Sequence, residues 1–298
     1  MKSLALFALT LSATAGAPMT TIEPPRDLST HVFFSGESAY VGEADYEGGV
    51  GKGSGSAWSG RFQLGIVRPL SGLRLLDGNG GQWQLRLGMD YERFEFNHTG
   101  AFPLPASLQR IAAVLALEYR IGRQVGVIID ARPGVHFENR IASNAWNCPV
   151  LFGIGFPVTD RFTLALAGRF DAMEENPIVG GPGFIWKIND RLILTAIPPE
   201  PRLTWVASED LTLWLSGELA GGAFRTDKRA SDPRISDAVV SYSDKRVSLG
   251  ATWTRGSWTL EASAGVSIER EWDYHRVDRS YTTDGPAPFA KLAARAQW

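Results

Sequence analysis

Cysteine is almost missing from this chain: Cys148 stands alone among 298 residues. No intramolecular disulfide can brace the fold, and a thiolate metal site is excluded. Histidine is scarce too. His31, His98, His136 and His275 are the four present, and no pair has metal-ligand spacing. Beyond the first few residues there is no apolar run of the roughly 18 residues that a membrane-crossing helix needs, which excludes a helical membrane protein. Neither sign of charge is in excess. Thirty Lys and Arg against 32 Asp and Glu give a formal net charge of -2. With a pI near 6.1, nothing in the charge points to nucleic acid as a partner. Yet 44% of the residues are hydrophobic while the mean hydropathy is only -0.10, so the apolar residues are dispersed among polar ones at short intervals.

The start has a pattern of its own. Met1-Lys2-Ser3, an apolar stretch from Leu4 to Leu11 and the small residues Ser12 to Ala17 have the build of a secretory signal peptide over residues 1–17, cut near Ala15 or Ala17. No cysteine stands near the cut to carry a lipid anchor. Residues 18–30, with Pro24 and Pro25 and no period, form a mobile lead-in, and residues 31–298 are expected to form one domain. The run Gly48 to Gly55 hints at a phosphate loop, but Gly53 follows Lys52 where Ser or Thr is required, and no helical pattern follows. It is a flexible loop instead.

The dispersal of apolar residues has a strict period of two. Val247, Leu249, Ala251 and Trp253 alternate with Arg246, Ser248, Gly250 and Thr252; after a tight turn at Arg255-Gly256, Trp258, Leu260, Ala262, Ala264, Val266 and Ile268 alternate with Thr259, Glu261, Ser263, Gly265, Ser267 and Glu269. That is a β-hairpin with one apolar and one charged face, and most of the chain from Trp58 onward repeats it. When every strand has an unbroken apolar face, that face meets lipid and the other a wet lumen. The fold class is therefore all-β: a transmembrane antiparallel up-and-down barrel of about fourteen strands. Twelve is the alternative if the hairpin broken by Pro198, Pro199 and Pro201 does not span. The first strand lies between His31 and Ala44. Short turns alternate with longer loops, as on the two sides of such barrels. Trp186, Trp205, Trp253, Trp258 and Trp298 fall beside short turns or at the end, where an aromatic girdle would sit.

The last strand places Leu292, Ala294, Ala296 and Trp298 on one face and Lys291, Arg295 and Gln297 on the other. A terminal aromatic on an alternating strand resembles the signature of bacterial outer-membrane barrels. The resemblance covers Trp58 to Trp298. It implies that Trp298 is the signal read by the barrel assembly machinery, and that the protein lies among the lipids of the outer membrane of a Gram-negative-type bacterium. The segments Ile185 to Arg191, Pro199 to Arg202 and Gly217 to Gly222 also resemble an uncharacterised family of small outer-membrane barrels, a domain of unknown function. That resemblance implies fold and location but no activity.

A basic side chain facing lipid at the midplane costs about 2–4 kcal/mol, so the charges on these strands are expected to point inward. The lumen-lining candidates are Arg61, Arg86, Asp90, Glu118, Arg120, Asp130, Arg132, Arg169, Lys187, Glu218, Arg246, Glu261, Glu269 and Arg295. Neither sign dominates, which suits cross-strand pairing with weak selectivity. A ring of twelve to fourteen strands tilted about 40° would leave a water-filled centre of about 6–8 Å radius, narrowed by the N-terminal segment or by the loop from Phe224 to Ala238. The expected function is a weakly selective channel or a barrel that binds a small solute, with no cofactor or metal. One alternative is a structural or surface-interaction barrel with a filled lumen. Another is a lipid-modifying enzyme. No Gly-x-Ser-x-Gly elbow occurs, and His275 with Asp278 and Ser280 is the best set available for catalysis, so an enzyme is not expected.

Overall fold

The computed structural model describes residues 30–47, 52–70, 82–100, 102–121, 125–229 and 232–298. The segment expected to be a signal peptide, most of the expected lead-in, the glycines at 48, 49 and 51 and the turn expected at 122–123 lie outside the described residues. Seventeen strand segments follow in order: β1 (His31–Glu47), β2 (Ser54–Leu70), β3 (Gln82–His98), β4 (Ser107–Ile121), β5 (Val125–Ala131), β6 (Gly134–Phe137), β7 (Trp146–Asn147), β8 (Val150–Thr159) and β9 (Phe162–Phe170). Then come β10 (Ile178–Lys187), β11 (Leu192–Ala196), β12 (Arg202–Val206), β13 (Leu211–Arg225), β14 (Val239–Arg255), β15 (Trp258–Tyr274), β16 (Arg279–Asp284) and β17 (Ala287–Gln297).

These segments make fourteen staves. β5 runs on into β6, β7 into β8 and β16 into β17, and each break contains a proline, Pro133, Pro149 or Pro286, which has no N–H to give to the ladder. Neighbours pair antiparallel throughout the wall. The seam closes where β1 meets β17, from Phe33 opposite Gln297 to Val41 opposite Phe289. The proline-rich hairpin β11–β12 belongs to the wall, with Ile197 to Pro201 as its tip. β1 extends three residues past the expected end, and β2 begins at Ser54 rather than Trp58.

Alternation explains why the sheet closes outward-apolar. Leu64, Met89, Leu166, Leu249 and Leu292 are exposed, Leu249 by 67%, while the charged residues between them are buried. No core on that side covers them, so the belt suits hydrocarbon. Trp186, Trp205, Trp253, Trp258 and Trp298 ring the short-turn end. At the opposite level Tyr40 pairs with Trp58, both exposed.

The wall is uneven in height. β1 to β3, β14 and β15 have 17 residues each, whereas β8 to β10 have 9 or 10, and β11 and β12 only 5. β13 therefore loses its neighbour part-way up. Its pairing with β12 ends at Ser216, and the hairpin tip reaches three residues further, with Gly217 and Leu219 donating N–H to the Pro201 and Pro199 carbonyls at 3.0 and 3.1 Å. Above that, β13 turns into the lumen. Gly221 has φ +126°, and a Cβ there would lie 1.9 Å from the Tyr242 carbonyl oxygen, so only glycine fits the bend. Beyond it Ala223 and Phe224 are both fully buried. The freed edge of β13 finds partners across the barrel: the His136 Nδ1–H of β6 donates to the Ala223 carbonyl at 3.1 Å, and the Glu138 N–H to that of Arg225 at 3.0 Å. This satisfies backbone groups that would otherwise face an empty lumen.

The in-folded strand carries the core with it. Phe94, Phe96, Phe224, Tyr242, Trp272, Tyr274 and Phe289 are all buried in one cluster filling the outer half of the barrel. Ile235, from the loop after β13, joins them. The occluding segment is thus that loop; the N-terminal segment from His31 is wall.

Candidate functional site

In the inner half the lumen is crossed by ion pairs. Asp90 on β3 accepts Arg61 Nε–H at 2.8 Å, Arg110 Nη2–H at 3.0 Å and Arg132 Nη1–H at 3.0 Å. Arg110 also reaches Glu92 at 2.8 Å, and Arg132 reaches Asp130 at 3.1 Å. Three arginines thus meet three carboxylates on contiguous staves, and burial that would be prohibitive for one charge is offset within the group. Arg86 and Arg120 share Glu118, at 2.8 and 3.0 Å.

A second network joins staves that are not neighbours. Lys291 of β17 reaches Glu218 of β13 at 2.7 Å. Arg246 lies 2.8 Å from Asp244 and 3.5 Å from Glu218. Arg202 of β12, stacked on the Trp214 ring at 3.9 Å, pairs with Glu200 and reaches Glu261 of β15 at 3.3 Å. Arg295 lines a small cavity of about 40 Å³ with Glu37, Arg61 and Glu261.

These positions correct two expectations. A water-filled centre of 6–8 Å radius would leave the inner charges accessible, but Asp90, Glu118, Asp130, Arg132, Arg61 and Arg246 are all less than 5% exposed; side chains reach across and pair, and the infolded β13 takes up the rest. Glu269 is not a lumen residue. One extra residue at Ile268 shifts the register, so that Lys245 opposes Glu269 while Arg246 opposes Ser267, and Glu269 bonds the outward Lys245 at 2.6 Å. A bulge of this kind flips every side chain beyond it, which brings Arg270, Trp272 and Tyr274 inward. Lys187 lies half-buried beside a short turn. Arg169 stands apart from the inner networks, in the cavity described next.

That cavity has a volume of about 460 Å³. It occupies the space left between the in-turned β13 and the low wall of β9 and β10. Val179 and Gly181 line one side, Leu219, Ala220 and Gly222 the other, and Pro198 and Pro199 the floor. Its surface is mostly apolar. A polar end holds Arg169, paired with Asp171 and, at 3.4 Å, with Glu174. Ser241 Oγ–H donates to Glu174 at 2.6 Å, pinning the loop after β9 to β14.

Sequence reasoning missed Glu37, Arg110, Asp244 and Lys291 as members of the networks. Arg110 shares parity with Ala112, Val114 and Ala116, and that parity was the signal available. Of the histidines, His136 on the wall strand β6 bonds the in-folded β13 at the Ala223 carbonyl, as described. His275 sits in the 3-10 turn His275–Val277, with its Nδ1 buried and without a hydrogen-bond partner. Among the described residues no cluster of three His, Cys, Asp or Glu could hold a metal ion.

No family model matches the chain, and no curated protein does. Solved structures resemble it in shape. An outer-membrane channel of Pseudomonas putida is 10% identical, with 93% of this chain and all of that one covered and a TM-score of 0.49. A Pseudomonas aeruginosa FadL homologue is 14% identical, with 90% of each chain covered and a TM-score of 0.43. A mutant of the TodX monoaromatic hydrocarbon channel is 9% identical, covering 89% and 90% of the two chains, with a TM-score of 0.45. At these values the functional reading rests on this chain's own geometry.

Proposed function

We propose that this protein is an outer-membrane barrel of a Gram-negative-type bacterium that takes a small, largely apolar solute into the cavity beside β13 and conducts water and ions poorly. One observation carries this reading: an apolar cavity of about 460 Å³ beside a lumen crossed by paired charges and aromatic rings. An apolar cavity of about 150 Å³ suffices for benzene, so this one has room for two fused rings or a short acyl chain. Export by residues 1–17, insertion by the assembly machinery through Trp298 and residence among outer-membrane lipids belong to the same proposal. No catalytic step is part of it.

Naphthalene is a suitable probe. Saturable binding to the folded barrel in detergent, lost in Gly181→Trp, supports the reading. A Cβ at Gly181 meets nothing within 4 Å, so the substitution does not collide at the backbone. Failure of the parent to bind, or equal binding by both, would favour a structural barrel, the reading to which the buried ion pairs also lend themselves. Single-channel conductance in a planar bilayer should be small in either case.

A further inference from the structure

The cavity lies where the wall is incomplete. β10 pairs with β11 only from Lys187 up to Phe184 opposite Ala196, and β13 with the hairpin only up to Leu219. Between Ile178–Pro182 on one side and Ala220–Arg225 on the other, no strand of the described residues lies.

The level of this breach follows from the strands. Trp205 marks the short-turn girdle, and the hairpin tip is about five residues above it. At about 3.3 Å per residue and a tilt near 40° the tip stands about 13 Å higher. The apolar band of such a barrel is about 25 Å tall. On the far wall Tyr40, paired with Trp58, lies eight residues above Val32, which pairs with Trp298, or about 20 Å up by the same measure. The sill made by Pro198 and Pro199 is therefore near mid-bilayer, and the breach faces the outer half of the hydrocarbon.

Its edges are adapted to that position. Lys187 donates to the Arg161 carbonyl, so the odd residues of β10 bond to β9 and the even ones face the breach. Pro182 is one of these, and has no N–H to leave unpaired in hydrocarbon. The edge of β13 escapes lipid by bonding to His136 and Glu138, as described. Ile178 and Val179 are exposed by 72% and 62%, an apolar doorpost.

The route from above is obstructed. Met173, in the loop after β9, packs on Ala223 and Val239, and the Ser241 to Glu174 hydrogen bond ties that loop across to β14. The top is thus spanned by a hydrogen bond and an apolar contact, while among the described residues no strand closes the side.

We propose that the breach between β10 and β13 is a lateral portal, through which an apolar solute exchanges between the cavity and the outer leaflet without crossing the aqueous mouth. This rests on the solute-binding reading above. Apolar solutes concentrate in hydrocarbon for the same reason that they favour the cavity, so the portal links two phases of similar polarity.

The test reads the portal without requiring any solute to bind. In a Cys148→Ser background, Gly181→Cys is placed in the cavity and Leu249→Cys on the lipid face, with Asp160→Cys in a short turn as the water-exposed control. Each barrel, shown folded by heat-modifiable mobility, is reconstituted in phosphatidylcholine vesicles. It is then treated with bilayer-dissolved pyrene maleimide or with a charged, water-confined methanethiosulfonate. The portal predicts that Gly181→Cys reacts with pyrene maleimide within about threefold of Leu249→Cys, and with the charged reagent at least about tenfold more slowly than Asp160→Cys, because the breach opens to hydrocarbon. Preference for the charged reagent, or reaction with neither, would overturn it. Lipid-side labelling without naphthalene binding keeps the portal and discards that solute class. Naphthalene binding with water-side labelling keeps the cavity and discards the portal.

Discussion

Asp90→Asn puts the dry inner lumen to a quantitative test. The carboxylate is 1% exposed and is held by Arg61, Arg110 and Arg132. Asparagine keeps its size but removes the one carboxylate that all three guanidinium groups share, and so adds one uncompensated positive charge to a buried site. Removing one partner of a buried, hydrogen-bonded charge group costs about 3–5 kcal/mol. The pair Arg93 and Glu95, with side chains 38% and 49% exposed, is the internal control. Glu95→Gln should cost less than about 1 kcal/mol, since water screens that pair. The assay is reversible urea unfolding in phospholipid vesicles, followed by tryptophan fluorescence. Adding Arg110→Gln to Asp90→Asn restores neutrality and should recover part of the loss, by a coupling of about 0.5–3 kcal/mol. If Asp90→Asn proves as mild as Glu95→Gln, the lumen is hydrated and the account of the ion pairs is wrong.

Leu249→Arg, at mid-height on the lipid face, should cost about 2–4 kcal/mol, and Leu260→Arg, close to the short-turn girdle, about 0–1; equal losses by urea titration would contradict the assigned depth. Gly221→Ala forces a side chain into the Tyr242 carbonyl, so it should lift the upper part of β13 and raise single-channel conductance; an unchanged trace in folded protein would show that the bend is not the constriction. Replacing Arg225 to Asp237 by Gly-Ser should likewise increase conductance, because Ile235 and the Arg229 to Glu138 ion pair leave the outer half. Deleting Trp298 removes its paired hydrogen bonds with Val32, 2.9 and 3.0 Å, and an edge contact with Trp258; it should lower the yield of inserted barrel in membrane fractions.

Much of the wall was legible because lipid imposes one rule on every stave. Leu64, Met89 and Leu249 face outward for the same reason, and alternation with Gln63, Asp90 and Ser248 reveals it. The rule ends where the strands leave the bilayer. Beyond Ile268, the outward residues Glu269, Glu271 and Asp273 are acidic and the inward Trp272 and Tyr274 aromatic, since the surroundings have become water and the interior a core. A single inserted residue makes that exchange, and it leaves the period of two intact on either side, so the pattern does not announce it. The bend at Gly221 was hidden differently. Gly221-Gly222 is an ordinary pair to read, and only the shortness of β11 and β12 leaves β13 without a neighbour there. The networks around Asp90 follow from parity, but the contact of Lys291 with Glu218 depends on the curvature of the sheet.

That difference between the two networks bears on how the barrel is made. The group around Asp90 draws all its members from β2 to the stave of β5 and β6, consecutive in the chain, so its charges can neutralise one another while the sheet is still open. The bond from Lys291 to Glu218 waits for the final stave, as does the seam of β1 with β17, whose partners are separated by nearly the whole sequence. Contacts of such long range form late, because their loop entropy must be met before they return anything. Both networks can still form before the ring shuts, since each lies within consecutive staves, β2 to β6 for the first and β12 to β17 for the second, and closure adds the backbone seam of β1 with β17.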